Sequence, residues 1–175
     1  VTNCLRLVTC LVLVVSSIAI IEPDNALALG GLDNRSDRIS TSVAGANAVH
    51  RISFDITKPA VTLGSIEFEF CSNDPLPGTS CTAPTGFNAS SATLTQSGNT
   101  GFTIHGSSTA NKIVLSMFPA LPSAATSVYQ FANITNPTNP GSYYIRLRTF
   151  SSSDASGSSV EDGGLVFAIT GGVSI

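Results

Sequence analysis

Leu63-Gly64-Ser65-Ile66-Glu67-Phe68-Glu69-Phe70-Cys71 is the stretch on which the fold turns. Ile66, Phe68 and Phe70 alternate with Glu67 and Glu69. Successive side chains of a strand point to opposite faces, so this period of two predicts a strand with one buried face and one wet face. Cys71 closes the strand and opens Asn73-Asp74-Pro75-Leu76-Pro77-Gly78, a run of turn-forming residues that leads to Cys81.

Other segments read as partners for this strand. Asp33 to Asp37 is polar and reads as a flexible start, with a short edge strand over Ile39 to Val43. Between Ala48 and Ile56, Ile52, Phe54 and Ile56 alternate with Ser53 and Asp55. Residues 91–96 and 101–105 flank Ser97-Gly98-Asn99-Thr100 and predict a hairpin. Lys112 to Phe118 places Ile113, Leu115 and Met117 on one side, with a helical turn expected near Ala124. Ser127 to Ile134 is a strand whose inward face the pattern does not choose. Ser142 to Phe150 sets Tyr143, Ile145 and Leu147 against Tyr144, Arg146 and Arg148, and Gly164 to Thr170 sets Leu165, Phe167 and Ile169 inward. About eight short strands with regular turn signals and no helix-period run predict an antiparallel β-sandwich.

The composition narrows the function. Only 11% of the residues are charged, the net charge is −3, Trp is absent and there are two His. Nucleic-acid binding needs a basic patch that displaces counterions, and the chain has none in its sequence. A coat of Ser, Thr, Asn and Gly suits an exported β-protein.

The first 28 residues read as a signal peptide. Arg6 is the positive region, Leu7 to Ile21 the apolar region, and Ala26-Leu27-Ala28 a cleavage site that places the mature start at Leu29. As a helix the apolar run would span about 22 Å, against the roughly 30 Å of hydrocarbon a bilayer presents. Retention as an uncleaved membrane segment is the weaker alternative. Val1 reads as the literal translation of a GTG start, and so as the precursor of a prokaryotic protein. The division that follows is a signal peptide over 1–28, a start segment over 29–47, a sandwich over 48–170 and a tail over 171–175. In that tail Val173 and Ile175 flank Ser174, as if a new strand were starting. Either the polypeptide continues beyond the given sequence, with further domains or an anchor, or this segment pairs with a neighbouring subunit by strand addition.

Ile134, Pro137, Pro140-Gly141 and then Tyr143-x-Ile145-x-Leu147 resemble the E–F corner of immunoglobulin-like and fibronectin-type-III-like domains. The resemblance implies that Tyr143 bonds back to upstream backbone, and that strand 164–170 is the last strand of an immunoglobulin-like sandwich. The chain departs from antibody domains in lacking Trp and the inter-sheet cysteine pair. It also resembles exported repeat-type surface proteins of small-genome bacteria.

Few residues offer chemistry. In an exported chain Cys71 and Cys81 predict a disulfide; their spacing is not that of a metal or redox pair. Cys4 and Cys10 precede or lie within the apolar run and carry no role. The stapled loop Ser72–Ser80 is either a presented surface or, the favoured reading, a matter of stability. His50 and His105 are the general-base candidates, but no G-x-S-x-G elbow accompanies them. Asp33 with Asp37, or Glu161 with Asp162, invite calcium, but the EF-hand spacing is absent, so no metal and no cofactor is expected. Three glycosylation-like triplets, at Asn34, Asn88 and Asn133, read as chance matches in so Asn- and Ser-rich a chain. Tyr144, Arg146, Arg148 and Phe150 form an outward stripe, a candidate binding surface for glycans; the competing reading pairs the arginines across to Glu67 or Glu69.

The sequence therefore predicts a non-catalytic, secreted or envelope-bound structural or adhesive protein. Its expected partners are other surface proteins, glycans or further copies of itself. A glycan-binding module is the alternative, and a secreted hydrolase ranks last.

Overall fold

The computed structural model describes residues 30–172. Within them the chain is all β: β1 (Gly30–Gly31), β2 (Asp33–Ile39), β3 (Asn47–Asp55), β4 (Leu63–Cys71), β5 (Thr93–Ser97), β6 (Thr103–Ile104), β7 (Lys112–Ala120), β8 (Ser127–Thr135), β9 (Gly141–Phe150) and β10 (Glu161–Ile169). One sheet has the order β1-β10-β9-β4-β7-β6 and the other β2-β3-β8-β5. Every pairing between these strands is antiparallel except that of β1 with β10. The proposed signal peptide and cleavage site, and Val173–Ile175 of the proposed tail, lie outside the described residues.

The inner faces of the two sheets supply the core. Phe68 of β4 stacks against Phe54, Tyr129 and Phe131 of the opposite sheet, with centroids 6.4, 5.7 and 5.0 Å away. Ile52, Ile66, Ile113, Leu115, Ile145 and Leu147 fill the space around them. Inward positions of β8 are Ser127, Tyr129, Phe131 and Ile134, the choice its sequence left open. Burial pushes the Tyr129 phenol far above its ordinary pKa, and its hydroxyl donates to the Asn99 carbonyl at 2.9 Å.

Four expectations need correction. First, Asp33–Ile39 is a strand, not a flexible start, because Ser36 to Ile39 pair in register with Ser53 to His50 of β3. Second, residues 91–105 do not form a hairpin. β5 joins β8 in one sheet and β6 joins β7 in the other, so the chain between them crosses the sandwich. Asn99 secures that crossing: its Nδ2 donates to Ser127 Oγ at 2.9 Å and its Oδ1 accepts from Ser123 N at 2.7 Å. Third, no helical turn occurs near Ala124. Fourth, β4 is buried on both faces: Glu67 is only 4% exposed. Its outer face is covered by loops folded over β4 and β9.

β7 runs through Pro119 to Ala120 instead of stopping before it. Against β4 the register passes from Ser65↔Ser116 to Leu63↔Ala120, leaving Met117, Phe118 and Pro119 opposite Gly64. Such a bulge re-aims side chains, and Phe118 is left 90% exposed.

Candidate functional site

The predicted binding stripe lies on β9, the middle of the six-stranded sheet. Register places Arg148 opposite Glu67 and Arg146 opposite Glu69 on adjacent β4. Arg148 Nε donates to Glu67 Oε1 at 2.9 Å, its Nη2 bonds the same oxygen, and Lys112 of β7 approaches Glu67 Oε2 at 3.7 Å. Arg146 lies 3.7 Å from Glu69. The cross-strand pairing anticipated as the competing reading is thus present.

The stripe is not a free surface. Arg146 is 3% exposed and Phe150 2% exposed. The cover over Arg146 is the loop between Cys71 and Cys81. Its Nε donates to Asp74 O at 3.1 Å, Nη1 to Thr79 O at 2.6 Å, and Nη2 to Thr79 Oγ1 at 3.0 Å. Asp74 also accepts from Thr79 Oγ1 and Leu76 N, and with Arg146 nearby these bonds hold its carboxyl below the usual carboxylate range. The planar five-donor guanidinium suits this task, since it reaches two carbonyls and a hydroxyl at once. Gly164 completes the seat, because a Cβ there would lie 2.8 Å from Pro75 Cβ. The loop therefore has a buried cation and a sheet surface beneath it, not the cysteine pair alone.

Cys71 and Cys81 form the predicted disulfide, with Cα atoms 5.3 Å apart. Closing a loop of about 11 residues restricts the unfolded chain by about 3 kcal/mol. We expect a Cys71→Ala, Cys81→Ala variant to lose about 2–3 kcal/mol in urea titration, with the sandwich still formed. Loss of all β circular dichroism at 25 °C would show instead that the bond is required for folding.

Both histidines and Glu161 are committed to structure. His50 is buried with its Nδ1 2.8 Å from Asp37 Oδ2, and its ring lies 5.5 Å from Phe70 and 5.1 Å from Phe167. Its Nε2 has no hydrogen-bond partner and meets only the packed core. This pair was missed by sequence reasoning, which placed Asp37 in a flexible start. The signal available was an Asp in an alternating stretch, expected to pair with a His-bearing neighbour strand. His105 bonds Ser107 Oγ at 2.8 Å within its own turn, and no carboxylate bonds its ring among the described contacts.

The carboxylates considered for calcium are dispersed. Asp33 is exposed on β2. Glu161 is buried and accepts from Thr57 N, Thr57 Oγ1 and Lys58 N at 2.7, 2.6 and 3.1 Å, pinning the turn before β4. Asp162 is pushed above the usual carboxylate range by burial, and its Oδ1 has no partner. It adjoins a shallow groove of about 320 Å³ floored by Gly163 and Gly164, between Arg35 and Pro75–Pro77. Tyr143 donates its hydroxyl to Asn139 O at 2.8 Å, four residues upstream.

One end of the sandwich carries apolar side chains in solvent. Beside the fully exposed Phe118, Leu121 is 64% exposed. The Leu63↔Ala120 register brings the exposed Val61 to the same end.

No protein family and no curated protein sequence matches the chain. Several solved structures are similar to it in fold. The crystal structure of BslA, a bacterial hydrophobin, superposes with a TM-score of 0.49 at 14% identity, covering 83% of this chain and 98% of that one. The human F-spondin reeler domain gives 0.40 at 11% identity, covering 82% and 96%. A DUF4466 family protein from Parabacteroides merdae gives 0.39 at 8% identity, covering 81% of this chain and 46% of that one. The chain itself is an all-β two-sheet sandwich.

Proposed function

We propose that the protein is a non-catalytic, extracytoplasmic structural or adhesive subunit built on an immunoglobulin-like sandwich. The strand order supports the finer fold reading. β2-β3-β8-β5 faces β10-β9-β4, the order of strands A-B-E-D against G-F-C, with Tyr143 near the start of the penultimate strand; β7 extends the second sheet beside β4 only after β5 has joined the first, an order in the chain that departs from the immunoglobulin one. The Cys71–Cys81 disulfide supports an oxidising compartment.

The observation that carries the adhesive reading is the apolar end. Phe118 stands almost wholly in water at the same end as the exposed Leu121 and Val61, and clustered exposed apolar residues mark contact surfaces. Glycan binding through Tyr144 and Arg146 is not favoured, because Arg146 is spent on the stapled loop.

The test is a Phe118→Ser, Leu121→Ser variant. Both side chains are exposed, so the melting temperature should stay within the change expected of about 0.5 kcal/mol. The variant should move from the envelope fraction of the producing cell to the medium. An unchanged distribution would overturn the adhesive reading.

A further inference from the structure

The outer edge of β10 is paired at both ends and open between them. At one end Leu32 N donates to Asp162 O at 3.0 Å. At the other, Thr170 N donates to Ser42 O at 2.7 Å and Ala44 N to Thr170 O at 3.0 Å. Both contacts use even-numbered residues, Asp162 of β10 and Thr170 just after it, and the register of β10 with β9 runs from Glu161 to Ile169 without a shift. Alternation therefore points the N–H and C=O groups of Gly164, Val166 and Ala168 away from β9, into the same lane. They find no hydrogen-bond partner there among the described residues. Val166 is 62% exposed and Ala168 is exposed as well.

β2 passes beside this window on its way to the opposite sheet and makes no backbone hydrogen bond to it. Natural sheet edges are blunted by charge, proline, bulges or short length. β2 carries Asp33, Arg35, Asp37 and Arg38 with a register shift, β5 is Thr-Leu-Thr-Gln-Ser, and β6 has two residues. The window reads Gly164-Leu165-Val166-Phe167-Ala168, with no charge and no proline. Leu165, whose side chain packs against the core, is partly exposed.

We propose that this window receives residues 171–175 of a second copy of the chain as an added strand. The fit is one of pattern. The five residues of the window span about 16 Å of strand. Val173 and Ile175 alternate about Ser174 and would lay two apolar side chains beside Leu165. A neighbour's whole β10 does not fit, since the lane is filled at 162 by Leu32 and at 170 by Ser42–Ala44. Gly171 and Gly172 leave β10 beyond that same block, which stands between them and the lane. The donor is thus another copy, and the contact is heterologous: each copy gives one segment and takes one. Such a contact closes into a ring or grows into a filament.

The assembly is tested on the full-length chain by light scattering across a concentration series. The wild type should form oligomers. Val166→Pro removes the one N–H at the centre of the window without touching the β9 ladder, a position where an edge strand tolerates proline; it should be monomeric with an unchanged melting temperature. Deleting residues 171–175 should do the same. Mixing the two should restore pairing as a one-to-one dimer that grows no further, because one supplies the intact segment and the other the intact window. If Val166→Pro misfolds, Val166→Lys places a charge at the same exposed site and should also give monomer. A wild type that is monomeric throughout, a folded Val166 variant that still assembles, or a mixture that does not pair would each overturn the proposal. Phe118→Ser, Leu121→Ser should assemble like the wild type, which separates this contact from the adhesive end.

Discussion

Arg146→Ala should destabilise the protein by about 3–5 kcal/mol, the cost of removing one partner from a buried, hydrogen-bonded charge. The side chain spans from the sheet to the stapled loop through Asp74 O, Thr79 O and Thr79 Oγ1, with Glu69 beside it. Truncation leaves two carbonyls without donors and Glu69 without its cation. The loop should then lift while Cys71–Cys81 still tethers its ends, so protease cleavage between 73 and 80 should precede global unfolding. Arg146→Lys should recover little, because one ammonium cannot serve both carbonyls and the hydroxyl in a fixed plane. A loss below about 1 kcal/mol by urea titration would show that the disulfide alone holds the loop.

The second large effect belongs to the core. Phe68→Ala removes the ring that Phe54, Tyr129 and Phe131 pack against. β4 is hydrogen-bonded on both sides, to β7 and β9, so the surrounding backbone has little freedom to collapse into the space. The expected cost is about 3–5 kcal/mol. Phe68→Leu, which refills most of the volume, should lose visibly less. Equal losses for the two variants would mean that ring stacking, not volume, dominates.

Much of the scaffold was legible from residues alone. β4 and β9 show period two because their inner positions meet the opposite sheet, and the disulfide followed from compartment and count. What failed was non-local. Glu67 and Glu69 look solvent-facing by pattern, and only the later-arriving Arg146, Arg148 and stapled loop bury that face. Ser97-Gly98-Asn99-Thr100 has hairpin chemistry, but Gly98 adopts φ +80° at a crossing, where an added Cβ would fall on Thr126 O. Asp37 reads as a solvated acid until β3 brings His50 beside it. The apolar end was invisible because Phe118 is turned out by a three-to-one bulge that no local spacing announces. Of the proposed stripe, the pairing of the arginines was readable from charge alone; their burial was not.

Central placement of β4 also has a kinetic consequence. Its two neighbours lie far along the chain, with Phe68 facing Ile113 on one side and Leu147 on the other. Non-local pairing of this kind slows folding, so a newly made chain holds Ile66-Glu67-Phe68-Glu69-Phe70 bare while it waits. Aromatic, alternating and strand-prone, that segment is what seeds aggregation, and interspersed charges are the usual protection. Glu67, paired with Lys112 and Arg148 in the finished sheet, and Glu69, beside Arg146, are uncompensated until β7 and β9 arrive. The same two carboxylates that knit the native outer face thus keep the nascent strand from pairing with the wrong molecule.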